Sequence, residues 1–329
     1  MKAFSYVNPA NEREAVRALG PDRTKIMPLA GGQDLLARLK DYVAEPDRVV
    51  NVKTALDATV TPVPGGGLKI GAAMKLVDLA EHAEVAKLYP AISHAAIEVG
   101  TPQIRNQGTV GGNLNQRPRC WYFRNEEFVC FKKGGNVCFS PQGENQFHAI
   151  FGSGPSFIVH PSSLAVPSVA YGATFRLLGP SGERMVPAAE YFTMPTLQNV
   201  QTENVLASNE LLTHVILPPP GPVKSGHYEV RYKESHDWPI AFATVLLTMN
   251  GDAVRAARVV MGAVAPVPWR AQAAEAALVG KPINEATAAA AADAALRDAR
   301  PLSQNAYKIQ IAKTAVKRAI LNAAGIETV

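Results

Sequence analysis

The sequence predicts an α+β protein of two or three domains, on three observations. Its 329 residues exceed what one ordinary core gathers. Short strand and helix patterns alternate through the N-terminal part. After a proline-rich break, strand-like runs are followed by helices alone, the segregated order of an α+β unit.

The first fifty residues read as strand, helix, loop, helix, strand. Residues 11–20 form a short helix with acidic groups early and Gly20 at its end. Residues 26–30 are a buried strand, Gly31-Gly32-Gln33-Asp34 opens a helix over 35–40, and 49–52 is a further strand. A turn at 64–67 leads into a strand at 68–72, then helical stretches cover 76–88 and 91–99. Residues 157–159, 173–177 and 212–217 are strand-like. The run Pro218-Pro219-Pro220-Gly221-Pro222 is a linker, so the boundary falls between domains 1–219 and 220–329. The first divides into about 1–53 and 54–219, with a cysteine-bearing loop at about 117–150. In the second, strands at 228–232, 241–249 and 257–263 precede helices. The alanine tract 286–295 is helical, and the last helix aligns Ile311, Ala315 and Ala319 beside Ala312, Val316 and Ile320.

Hydrophobic content of 47% and charged content of 19% describe an ordinary globular chain. The net charge of +5, 33 basic groups against 28 acidic, is mild and dispersed, which argues against a nucleic-acid partner. No apolar run approaches the ~20 residues of a membrane span. The start, Met1 to Tyr6, carries no hydrophobic region of a signal peptide. Export by association with a signal-bearing partner stays open.

Two motifs carry the chemistry. Gly31-Gly32 sits between a strand and a helix, where bare backbone approaches a ligand closely and unpaired N–H groups favour an anion. The glycine turn Thr109-Val110-Gly111-Gly112-Asn113-Leu114-Asn115 offers a second such surface, with Asn113 and Asn115 as side-chain donors. Two separated glycine turns suit a diphosphate. Neither matches Gly-x-Gly-x-x-Gly or the P-loop with its lysine. Next in the chain come its three cysteines, Cys120, Cys130 and Cys138, followed after nine residues by His148. Clustered in so long a chain, they are not a disulfide framework, and no tight Cys-x-x-Cys pair of a zinc knuckle is present. They read as metal ligands, with free thiols or a structural zinc on three thiolates and an imidazole as alternatives. Trp121, Tyr122 and Phe123 shield such a centre or simply pack the loop. Arg117, Arg119, Arg124, Lys132 and Lys133 surround the cysteines, as a solvated loop, as compensation for an anionic group, or as a docking surface for an acidic partner. His82, His94, His160, His214, His227 and His236 have no ligand spacing. Together the motifs describe an anionic cofactor held near a metal centre, a combination suited to electron transfer. No nucleophile–base pair is evident.

Ala30-Gly31-Gly32-Gln33-Asp34 and Thr109-Val110-Gly111-Gly112-Asn113 resemble the paired pyrophosphate loops of FAD-binding subunits in the xanthine dehydrogenase and carbon monoxide dehydrogenase family. The likeness runs nearly end to end, through residues 100–108, 233–239 and 262–321. It is strongest to the FAD-binding subunits of bacterial aldehyde oxidoreductases, the periplasmic enzyme included. The resemblance implies a two-part FAD-binding domain of the PCMH or vanillyl-alcohol-oxidase type, then a smaller α+β C-terminal domain. It places Ala30, Gly31, Gly32, Gln33 and Asp34, and Thr109, Val110, Gly111, Gly112 and Asn113, at the FAD pyrophosphate, with Leu29 flanking the first loop; Asn115 joins them as a side-chain donor. Family members often carry Asp where Ser163 stands here, so a contact from that segment brings no charge.

In the aldehyde oxidoreductase and 4-hydroxybenzoyl-CoA reductase subunits an inserted loop at this place carries a [4Fe–4S] cluster, and residues 130–138 resemble part of it. The fourth thiolate of that pattern is missing near Phe147 and His148. His148 is the expected fourth ligand, with a partner chain, water or a nearby side chain as alternatives; imidazole raises a cluster's potential. The family also implies partners: a large subunit with the molybdenum cofactor, where substrate is oxidised, a small [2Fe–2S] subunit, and an external electron acceptor. The compartment is periplasmic, by export with a partner subunit, or cytoplasmic. A free-standing flavin oxidoreductase and a zinc-stabilised binding module are the alternative functions.

Overall fold

A computed structural model describes residues 1–152, 154–233 and 236–327. The first unit is a parallel sheet of β1 (Ser5–Val7), β3 (Arg48–Asn51) and β2 (Ile26–Leu29), in that order. Parallel neighbours need crossovers, supplied by α1 (Glu12–Ala18) and α2 (Leu35–Lys40). Asn11 starts α1 by accepting the Glu14 N–H at 3.0 Å on its side-chain oxygen. Central strand β3 is covered on both faces: Val49 packs with Leu35 and Leu39 of α2, and Val50 with Ala15 and Val16 of α1.

The second unit is an antiparallel sheet of β4 (Val60–Pro62), β5 (Leu68–Gly71), β8 (Leu211–Leu217), β6 (Thr174–Gly179) and β7 (Gly182–Pro187). Its inner face packs Ile70, Phe175, Leu177 and Val215 against α3 (Leu76–Glu81), α4 (Ala83–Leu88), α5 (Pro90–Ile97) and α9 (Ala165–Tyr171). The stretch expected as one helix over 76–88 breaks at His82, whose extended backbone ends α3 and begins α4. Between α5 and α9 lies a long excursion that, among the described residues, carries the short α-helices α6 (Pro102–Arg105), α7 (Val110–Leu114) and α8 (Trp121–Arg124) and a 3-10 turn at Phe131–Lys133. The glycine turn at 109–115 is therefore largely helical.

Residues 157–159, expected as a strand, form no ladder. The Phe157 carbonyl accepts from Ala149, and the His160 N–H donates to Ala265. Pro155 and Pro161 bound the segment and lack the N–H donors that would continue a ladder beyond it.

The third unit is the antiparallel sheet β12 (Trp269–Arg270), β11 (Ala253–Gly262), β10 (Pro239–Asn250) and β9 (Val223–Arg231). Helices α11 (Gln272–Leu278), α12 (Glu285–Leu296) and α13 (Tyr307–Ala324) cover one face, and α10 (Ala188–Tyr191) belongs to the second unit. Alternation along β10 sorts its side chains. Ala241, Ala243, Val245 and Leu247 face the helices, while Phe242 and Leu246 join the core of the second unit. The α13 stripe buries Ala312, Ala315, Val316, Ala319 and Ile320, with Ile311 at its margin. Gly226 in β9 admits the α13 backbone, since a Cβ there would lie 2.1 Å from the Ala319 carbonyl oxygen. No helix is long and apolar enough to cross a membrane among the described residues.

Candidate functional site

Where the three units meet, a cleft of about 540 Å³ opens. Its floor is the chain from Pro28 to Leu35, with α7 opposite and Pro161, Ser163, His236, Asp237 and Trp238 on its walls. Of the 233–239 run, Glu234 and Ser235 lie outside the described residues.

The two glycine loops are built differently. Gly32 adopts the left-handed backbone at φ 78°, and a Cβ on Gly31 would lie 2.0 Å from the Gln107 carbonyl oxygen. The N–H groups of Gly31, Gly32 and Gln33 make no hydrogen bond among the described residues. They are free to meet a ligand. At α7 the N–H groups are already used: Val110 donates to Met74 at 2.9 Å, Gly111 to Ala72 at 2.8 Å and Gly112 to the Thr109 hydroxyl at 3.1 Å. Here the missing side chains matter more than the donors, because Gly112 faces Ala30 across the cleft. The Asn113 side-chain oxygen accepts from Ser162 Oγ at 2.6 Å. Asn115 accepts from the Tyr191 hydroxyl at 2.5 Å and donates to the Gly111 carbonyl at 2.9 Å, so it braces the loop. Leu29, Ala30, Gln33 and Asp34 also line the cleft.

Charge gathers beside the first loop. Asp34 lies 3.2 Å from Arg38, 3.0 Å from Arg119 and 2.5 Å from Arg124. Buried Glu203 lies 2.6 Å from Arg117 and 2.7 Å from Lys132. Five cations thus face two carboxylates in this cluster, a local positive surplus beside the first loop, while Glu45, Glu98, Glu210 and Asp237 line the cleft elsewhere. Burial pushes the Asp34 carboxyl upward, but Arg38, Arg124 and Arg119 outweigh it and hold the group below the usual range. Glu203 behaves alike, burial being overcome by Arg117 and Lys132. The sequence flagged the basic residues near the cysteines. It gave no sign of Arg38 or Glu203, which only folding brings there.

Cys120, Cys130, Cys138 and His148 line one small cavity with Tyr122, Phe131 and Phe139. Phe123 and Lys132 line both this cavity and the cleft. His148 Nε2 stands 3.2 Å from Cys120 Sγ, and Cys138 Sγ 3.1 Å from Ser140 Oγ. All three cysteines are free. Burial, with a smaller push from the other two thiols, raises the Cys120 thiol to about 12. Burial, then Lys308, lowers His148 to about 4. Thiol and imidazole are therefore both neutral here. The set, three soft sulfurs and an imidazole, fits the chemistry of a thiolate-held centre. The expected ligand geometry is not formed: among the described residues no three His, Cys, Asp or Glu side chains are placed to hold a metal. The closest polar contacts of these sulfurs are Cys138 with Ser140 and Cys120 with His148.

His160, behind the cleft, has a testable consequence. Burial lowers it to about 4, and its Nε2 has no hydrogen-bond partner. The unfolded chain protonates this group near the ordinary histidine value of 6.5, so between there and about 4 the unfolded state holds the extra proton. Stability is expected to fall as pH drops through that window, by up to ~1.4 kcal/mol per unit from this group. Urea midpoints from pH 7 to 4.5 check it, with His160→Leu expected to flatten the slope.

Residues 2–220 match the family described as the FAD binding domain in molybdopterin dehydrogenase, and residues 226–323 the CO dehydrogenase flavoprotein C-terminal domain. This chain belongs to the FAD-binding medium subunits of the molybdenum hydroxylase family. It is 32% identical to the aldehyde oxidoreductase FAD-binding subunit PaoB of Escherichia coli K12, over 95% of this chain and 96% of that one. It is 29% identical to the carbon monoxide dehydrogenase medium chain of Hydrogenophaga pseudoflava, over 98% and 96%. Among solved structures, carbon monoxide dehydrogenase of that organism superposes with a TM-score of 0.76 at 28% identity, covering 98% of this chain and 97% of the other. Quinoline 2-oxidoreductase from Pseudomonas putida 86 superposes equally well, at 25% identity over the same shares. The medium-subunit architecture, an FAD-binding domain followed by a flavoprotein C-terminal domain, is thus that of this chain. Its relatives are oxidoreductase subunits.

Proposed function

We propose that this chain is the FAD-binding electron-transfer subunit of a molybdenum-containing aldehyde oxidoreductase. The observation that carries the flavin assignment is the cleft itself, where unpaired N–H groups at Gly31, Gly32 and Gln33 stand beside Arg38, Arg117, Arg119 and Lys132. The aldehyde assignment rests on the likeness to the aldehyde oxidoreductase subunit. Leu29, Ala30, Gly31, Gly32, Gln33 and Asp34 hold the diphosphate on one side, and Thr109, Gly111, Gly112, Asn113 and Asn115 shape the opposite wall, where the bare glycines let it approach the backbone. Bound FAD supplies exchange between two-electron and one-electron steps. The chain's own groups bind and orient it: backbone N–H groups and guanidiniums meet the diphosphate, while Leu29, Leu35 and Leu76 exclude water.

A [4Fe–4S] cluster on Cys120, Cys130, Cys138 and His148 is part of the same proposal, supported by the convergence of these four groups on one cavity beside the cleft. The same donor set is also that of a structural zinc, so metal analysis decides between them. Electrons reach this chain from a large molybdenum subunit through a small [2Fe–2S] subunit and leave to an external acceptor. The compartment is periplasmic, by export with a partner subunit, or cytoplasmic. In the co-purified complex an aldehyde is expected to bleach the flavin band, and the isolated chain is expected not to respond. Bleaching by xanthine or carbon monoxide in place of aldehydes would overturn the substrate assignment.

A further inference from the structure

The C-terminal domain reaches into the cysteine segment with a buried lysine. Lys308, at the start of α13, is 1% exposed. Its Nζ donates to the carbonyl oxygens of Phe147 at 3.2 Å, His148 at 3.0 Å and Ala263 at 2.7 Å. No carboxylate pairs with it among the described residues. Burial lowers Lys308 to about 7, and in its ammonium form each of the three donors has a carbonyl. Two of those carbonyls belong to the exit of the cysteine segment, and the third to the turn after β11, where Ala263 takes a left-handed backbone at φ 58°.

Neighbours of Lys308 hold the same stretch. Asn305 Nδ2 donates to the carbonyls of His148 at 3.0 Å and Ala149 at 3.2 Å. Asn145 and Gln304 exchange two hydrogen bonds, and the Tyr307 hydroxyl donates to Gln146 at 3.0 Å. Burying an ammonium without a counter-charge is costly, and an apolar side chain of the same length would pack there without that penalty. What the ammonium adds is direction. It fixes the backbone at Phe147 and His148, and with it the imidazole whose Nε2 meets Cys120.

We propose that Lys308 is a positioning residue for the metal centre of the cysteine segment, clamping the His148 carbonyl so that the imidazole points into the three-cysteine cavity. The inference rests on the reading of that cavity as a metal centre. It assigns the C-terminal domain a part in building the site.

The test uses the full chain, reconstituted anaerobically with iron and sulfide, and separately with Co²⁺ as a spectroscopic probe of thiolate–imidazole ligation. Lys308→Met is expected to keep its flavin and to lose metal affinity by about 10-fold or more, as loss of an outer positioning contact does. Its EPR and cobalt spectra are expected to shift toward those of His148→Ala. The double variant is expected to be no worse than His148→Ala alone, because Lys308 acts through that imidazole. Should Lys308→Met fail to fold, Asn305→Ala removes a neutral donor from the same carbonyl and carries the same expectation. Unchanged metal affinity and spectra, or additive losses in the double variant, would overturn the role of Lys308 alone. A wild-type chain that takes up neither iron nor cobalt would overturn the metal centre, and the role with it.

Discussion

Gly31→Ala is expected to purify without flavin. Its Cβ would sit 2.0 Å from the carbonyl oxygen of Gln107, 2.7 Å from that carbonyl carbon and 3.0 Å from the Gly108 Cα. All three are backbone atoms, so no side chain can rotate away. Relief requires the first glycine loop to part from the chain that leads into α7. Overpacking of this kind costs about 1–3 kcal/mol or more. Here the displacement falls on the surfaces that would grip a diphosphate, so FAD affinity is expected to drop by more than ~10-fold, about 1.4 kcal/mol. Flavin-to-protein ratio and a fluorescence titration of the apoprotein measure it. Wild-type flavin content in Gly31→Ala would show that the two loops do not act together.

Asp34→Asn is expected to be the most destabilising single change at the site. It leaves Arg38, Arg119 and Arg124 facing one another around a neutral amide. Removing one partner from a buried charge cluster costs about 3–5 kcal/mol. The melting temperature of a domain this size falls by roughly 2–4 °C for each kcal/mol. Because Arg119 and Arg124 flank Cys120, the damage is expected to reach the cysteine segment and speed alkylation of its thiols. Salt should give little rescue, since the charges are largely shielded from solvent. A variant within about 0.5 kcal/mol of wild type, the range of an ordinary surface substitution, would mean that the arginines are held by other contacts.

The parts of the site legible in the sequence were those that local rules govern. Gly31-Gly32 between a strand and a helix, the glycines near 111 and the cluster of cysteines each announce themselves by residue type and spacing. The helical stripe of α13 and the strands-then-helices order did the same for the C-terminal unit. What depended on distant partners was not legible. Whether the N–H groups of α7 are free is decided by Met74 and Ala72, over thirty residues earlier. Glu203 and Lys308 look like surface charges in the sequence, yet both are buried against the cysteine segment. Residues 157–159 have strand composition but meet their neighbours only through isolated backbone hydrogen bonds, whereas β7, exposed over most of its length, pairs with β6 despite a weak pattern. The identity of the cofactor came from resemblance; the glycine loops alone call only for an anion.

The most direct measurement is a UV–visible spectrum of the anaerobically purified chain, with iron, sulfide and zinc determined on the same sample. The account predicts flavin bands over a broad, reducible iron–sulfur absorption, with about four irons per chain. Flavin with neither iron nor the capacity to take it up would contradict the cluster. Zinc with no flavin would contradict the electron-transfer function altogether.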